Sequence, residues 1–145
     1  MRYFLAVAAI LGGCATVQPP VPVSEPASVP VPAPPAAIEN PAVASLMEGA
    51  RADVAAGRLV NAAASLERAL RIEPRNPRLW QELARVRLRQ GDYAQAESIA
   101  ARSSSWAGAD NRLRAENWRL IAQAREARGD AAGARAALEA AERQR

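Results

Sequence analysis

Three stretches of this chain repeat one another at nearly the same interval, and that interval limits the folds open to it. Ala50 and Ala84, Gly57 and Gly91, and Ala62 and Ala96 are each 34 residues apart. A third copy follows at a spacing of 38, in Ala122, Gly129 and Ala134, so it carries a four-residue insertion. A period in this range marks a stack of small units, each burying its apolar face only against its neighbours. Within each copy Ala, Leu, Arg and Glu recur with helical periodicity.

The punctuation between copies sharpens that reading. Asn40-Pro41 and Asn76-Pro77 each pair a helix-capping side chain with a proline suited to the first helical turn. Gly57, Gly91 and Gly129 end the first helix of each copy with a residue that tolerates left-handed φ, and Pro74 stops the first copy. Helices are therefore expected near 41–56, 59–73, 77–90, 93–103, 110–128 and 131–143. The alanines at 50, 84 and 122, facing those at 62, 96 and 134, let paired helices approach closely, with Trp80 and Trp118 in the core between them.

Trp80, Leu83, Ala84, Gly91, Asp92, Tyr93 and Ala96 fall in the order of the tetratricopeptide-repeat signature, and Trp118, Ile121, Ala122, Gly129, Asp130 and Ala134 follow it in the third copy. The first copy is more degenerate, with Leu46, Gly49, Ala50, Gly57, Ala62, Ala69 and Pro74. The chain thus resembles that family over about 43–145, with repeats near 43–76, 77–110 and 115–145. The resemblance implies an all-α solenoid of three helix pairs over 41–145, whose first helices line a concave groove for a partner peptide or protein. On the family register the groove side chains would be Met47, Arg51, Val54, Arg78, Gln81, Arg85, Arg89, Arg119 and Gln123. Five of these are arginines, whose bidentate forks suit the carboxylates of an acidic peptide. The alternative is an arginine-rich helix face that is simply solvated.

Three departures stand out. Asp53, Arg87 and Arg125 occupy positions where the family usually has a bulky residue, so looser packing or snorkelling heads are expected there. The stretch Ser103-Ser104-Ser105-Trp106-Ala107-Gly108 lacks a closing proline and sits by the insertion. It predicts an early helix end and a mobile connection, with Trp106 covering the core or offered to a partner. Glu82 and Glu116 take two polar positions of the chaperone-binding subfamily's carboxylate clamp, so that clamp is not reproduced.

Ahead of the repeats, Tyr3 to Leu11 form a short apolar run behind Arg2, and Leu11-Gly12-Gly13-Cys14 ends it at the only cysteine in the chain. The run falls far short of the roughly 20 residues that cross a bilayer. This junction resembles a bacterial lipoprotein signal peptide, which implies removal of 1–13 and lipidation of Cys14. Ala15 in place of aspartate implies delivery to the periplasmic face of the outer membrane, with the inner membrane as the alternative. From Cys14 to Asn40 proline alternates with small and β-branched residues, so no packed element is expected and extended polyproline II is the default. At about 3.1 Å per residue, roughly 26 residues would hold a domain up to about 80 Å from the membrane.

Composition narrows the chemistry. There is no histidine, which removes the usual general base and commonest metal ligand, and a lipidated Cys14 leaves no free thiol. No enzyme activity, cofactor or metal is expected. The net charge of +4 comes entirely from arginine, but acids are interspersed with it and no nucleic-acid motif appears. The reading is a non-enzymatic envelope lipoprotein that holds a protein or acidic peptide in its groove. The alternative is a structural envelope lipoprotein that associates with itself.

Overall fold

The computed structural model describes residues 40–144, which belong to the second of two compact units, Ala37–Arg145. The lipidation position Cys14, the signal peptide and the Pro-rich segment lie outside the described residues. Six helices follow one another, α1 (Pro41–Ala55), α2 (Leu59–Ile72), α3 (Pro77–Gln90), α4 (Tyr93–Trp106), α5 (Asn111–Ala127) and α6 (Ala131–Glu142). The described residues contain no strand.

Local chemistry explains where these helices begin and end. The Asn40 side chain accepts from the Ala42 amide at 3.0 Å, and Asn76 from Arg78 at 3.0 Å and Leu79 at 3.4 Å. Asp110 and Asp130 cap α5 and α6 through the Leu113 and Gly133 amides. After the first helix of each repeat the chain closes the same way. The amides of Arg58, Asp92 and Asp130 bond back to the carbonyls of Asp53, Arg87 and Arg125 at 2.8, 3.0 and 2.9 Å. That six-residue closure needs a left-handed residue inside it, and Gly57, Gly91 and Gly129 supply it at φ 74°, 83° and 83°.

Each helix packs on the next, and α3 also touches α5 across the first-helix layer. One core cluster joins α1, α2 and α3 through Val43, Ala50, Leu66, Leu70, Leu79, Leu83 and Val86. A second joins Ala84 and Ala100 to Leu120, Ile121, Ala122 and Ala137, and Ile99 packs against both. Ala62, Ala84 and Ala100 are fully buried, which is how the small residues let helix axes approach. Trp80 and Trp118 are half-buried on the rims of these clusters, where full core positions were expected. Trp80 is held there because its indole N–H donates to the Pro74 carbonyl at 2.8 Å while Arg102 covers its ring.

One expectation about the end of the middle repeat is corrected, and the insertion before the third repeat takes a definite form. First, α4 does not end at Ser103 but runs on to Trp106. The serines do not break it, because the Ser103 hydroxyl donates to the Pro77 carbonyl at 2.7 Å and that of Ser105 turns back to the Arg102 carbonyl. Second, the insertion is taken up by helix. α3 and α5 begin 34 residues apart, at Pro77 and Asn111, and the four extra residues form an added turn at the start of α5. Four residues are close to one 3.6-residue turn, so the register beyond is preserved. The connection itself turns at Gly108 (φ 54°), and the Arg114 guanidinium grips the Gly108 carbonyl and the Asn111 side chain.

The departures at 53, 87 and 125 resolve into ion pairs. Arg87 reaches Glu67 on α2 at 2.6 Å and Asp92 at 3.6 Å, leaving only its Nε buried without a partner. Arg125 meets Glu97 on α4 at 2.6 Å, and Asp53 pairs with Arg58 at 2.7 Å.

Candidate partner-binding groove

The first helices present a stripe at i, i+4, i+7 and i+11: Arg78, Glu82, Arg85 and Arg89 on α3, and Arg112, Glu116, Arg119 and Gln123 on α5. Residues this far apart share one helix face. Three cavities lie along these stripes. One of about 510 Å³ is bounded by α3 and α5, with Arg85, Arg89, Arg119 and Gln123 around an apolar floor of Val54, Val86, Leu88 and Leu120. A second, of about 160 Å³, is lined by Met47, Arg51 and Val54 of α1. The third, about 280 Å³, has Arg78, Gln81 and Arg85 on one side. Its other side is Asp110, Arg112, Leu113 and Glu116, so the added turn of α5 forms part of its wall. Glu82 borders all three cavities, so they adjoin at its side chain and together form a trough along the first helices.

Every side chain that the register assigned to the groove lines this trough, but their charges are not all available. Arg51 pairs with Glu48 at 3.5 Å, Arg78 with Asp110 at 3.6 Å, Arg85 with Glu116 at 3.2 Å and Arg119 with Glu142 at 3.9 Å. Arg89 forms no ion pair among the described residues. Gln81 is 5% exposed, and its amide donates to Glu116 and to Asn117, both at 3.2 Å. It therefore braces α3 against α5 more than it faces a ligand.

Sequence reasoning undervalued Glu82. It is half-buried at the centre of the trough and, among the described residues, has neither an ion pair nor a hydrogen bond. Its place on the Arg78–Arg85–Arg89 stripe was visible, but its lack of a partner depends on where the arginines of other helices end up. Glu116, by contrast, is fully engaged, accepting from Gln81, Arg85 and Arg112. Among the described residues no group of three or more His, Cys, Asp or Glu side chains is placed to hold a metal ion. Nor is any helix among them long and apolar enough to cross a membrane.

The architecture has known counterparts. A tetratricopeptide-repeat family model matches residues 53–116. The solved globular C-terminal domain of P. aeruginosa LpoP is 48% identical, with a TM-score of 0.70 over 71% of this chain and 97% of that one. The chain belongs to the tetratricopeptide-repeat family. The N-terminal domain of stress-induced protein-1 (STI-1) from C. elegans, at 13% identity and a TM-score of 0.67, covers 72% of this chain and 84% of its own and shows the shared fold. No curated protein matches the chain. Tetratricopeptide solenoids offer an extended concave surface for protein partners, and in this chain the cavities along α1, α3 and α5 lie on the first helices of the repeats.

Proposed function

We propose that this chain is a lipid-anchored, non-catalytic scaffold of the bacterial cell envelope that holds an extended segment of a partner protein along α1, α3 and α5. The observation that carries the reading is the row of adjoining cavities along the first helices, with an apolar floor and two charges without an ion pair among the described residues, Glu82 and Arg89. Glu82 and Arg89 are seven residues apart on α3, about 10 Å along the axis, a distance an extended chain covers in about three residues. The occupant brings a cationic side chain to Glu82 and a carboxylate to Arg89, with an apolar residue between them over Val86. This narrows the acidic peptide inferred from the arginines alone, four of which already have carboxylate partners.

The anchor is the thioether-linked lipid at Cys14, and the Pro-rich segment gives the helical unit reach while keeping it near the membrane. A tether of this kind raises the effective concentration of the groove for membrane-bound partners. The outer membrane, on its periplasmic face, is the proposed address. The LpoP relative comes from a bacterium and is likewise a C-terminal globular domain, in agreement with this layout.

The test is capture of partners from a solubilised envelope by wild type and by Arg85→Glu with Arg89→Glu. Loss of capture by the double variant, with its helicity intact, supports the groove. Undiminished capture removes it from consideration.

A further inference from the structure

The side of the domain away from the groove has the opposite charge economy. The exposed large apolar side chains among the described residues are Val60 (75%), Ile72 (43%), Trp106 (43%) and Leu138 (49%), and all four lie on second helices. None lies on the helices that line the trough. On α2, Val60, Ala64, Arg68 and Arg71 form the stripe opposite the buried residues Ala62, Leu66, Ala69 and Leu70. Arg75 follows in the next turn, with its guanidinium 5.1 Å from the Trp106 ring. Arg102 on α4 lies 5.0 Å over Trp80.

Arg68, Arg71, Arg75 and Arg102 form no ion pair among the described residues. The carboxylates of these two helices are used elsewhere, Glu67 by Arg87 and Glu97 by Arg125 and Arg128. The outer face of α2 and α4 thus carries four arginines without an ion pair among the described residues, whereas four of the groove arginines are ion-paired within the chain. The carboxylate nearest them in sequence, Glu73 at the end of α2, accepts from the Asn76 side-chain amide at 2.7 Å. On the same two helices Ala64, Ser98, Ala101 and Ser105 are exposed and small, and give little relief for gripping another protein.

We propose that this outer face rests on an anionic lipid surface. Arginine forks fit phosphate oxygens two at a time, and each basic residue near such a surface adds to binding. Trp106 and Ile72 sit at the headgroup level, where an aromatic ring is at home. The Arg75–Trp106 stack brings cation and ring to the interface together, so neither must be separated from the other. Docked this way, the domain turns its groove away from the membrane and toward a partner. The inference rests on the outer face alone and is independent of the groove.

The experiment uses the 37–145 fragment, which has its own core and whose LpoP counterpart was solved as a separate domain. It is sedimented with phosphatidylglycerol vesicles and with phosphatidylcholine vesicles at low and physiological salt. Binding to the anionic vesicles that weakens with salt is expected. Arg68→Glu with Arg71→Glu, two exposed unpaired sites, lowers the partition coefficient about twenty-fivefold or more, from about fivefold for each positive charge lost. Trp106→Ala lowers it less, and Arg85→Glu with Arg89→Glu leaves it unchanged. Three results overturn the proposal: no binding to anionic vesicles, equal binding to neutral ones, or indifference to the Arg68 and Arg71 reversals. A fragment that binds poly-glutamate but no vesicle also overturns it, since the face then belongs to an acidic protein.

Discussion

Asn117 donates from its side-chain amide to the Ser103 hydroxyl at 2.8 Å, joining α5 to α4 with both side chains fully buried. The Ser103 hydroxyl donates in turn to the Pro77 carbonyl at the start of α3, and Asn117 accepts from Gln81 further along that helix. Three helices are thus tied at one point. Asn117 stands 38 residues after Leu79, the fully buried residue that holds the same place in the middle repeat. The third repeat replaces an apolar contact there by a satisfied polar one.

Ser103→Ala removes an acceptor from Asn117, which is fully buried, and a donor from the half-buried Pro77 carbonyl. We expect a loss of about 1–3 kcal/mol in urea unfolding, the cost of stranded buried polar groups. Combined with Asn117→Ala, the two losses should fall short of additive; simple additivity would mean the bond is not coupled.

Two glycines should respond with opposite signs to the same change. Gly91→Ala forces a side chain into φ 83°, and although nothing lies within 4 Å of the new methyl, about 1 kcal/mol of stability should be lost. Gly49→Ala lies inside α1, is exposed and also meets nothing within 4 Å, so it should gain about 0.5–1 kcal/mol. Thermal melts of the two variants check the pair.

Asp53–Arg58 and Arg87–Asp92 are the same five-residue pair in consecutive repeats with the charges exchanged. Swapping the first pair, Asp53→Arg with Arg58→Asp, should therefore be tolerated better than Asp53→Arg alone. The expected coupling is about 0.5–1 kcal/mol, because Arg58 is largely exposed. A coupling energy indistinguishable from zero would show that the pair only decorates the turn.

Glu82→Gln should leave thermal stability within about 0.5 kcal/mol, since it breaks no hydrogen bond or ion pair. It should weaken capture of a groove partner about tenfold, as expected for one charged contact of about 1.4 kcal/mol. Unchanged affinity in a titration with the purified partner would remove the cationic side chain from the proposed occupant.

Cys14→Ser should abolish incorporation of radiolabelled palmitate and release the chain from the membrane fraction. Retention of label would place the lipid elsewhere.

Local information was enough for the helices themselves. The 34-residue period, the Asn-Pro starts and the glycines at 57, 91 and 129 each act through bonds within a few residues, so their consequences follow from order along the chain. The stripe of groove positions was legible for the same reason, being a matter of helical register. What register could not reveal was which charges there are spent. Arg85 meets Glu116 from 31 residues away and Arg87 meets Glu67 from 20, and such meetings depend on how neighbouring helices cross. Only packing decided that Ser103 would extend α4 and that the insertion would become a turn of α5. Packing likewise left Glu82, among so many arginines, without a partner of its own.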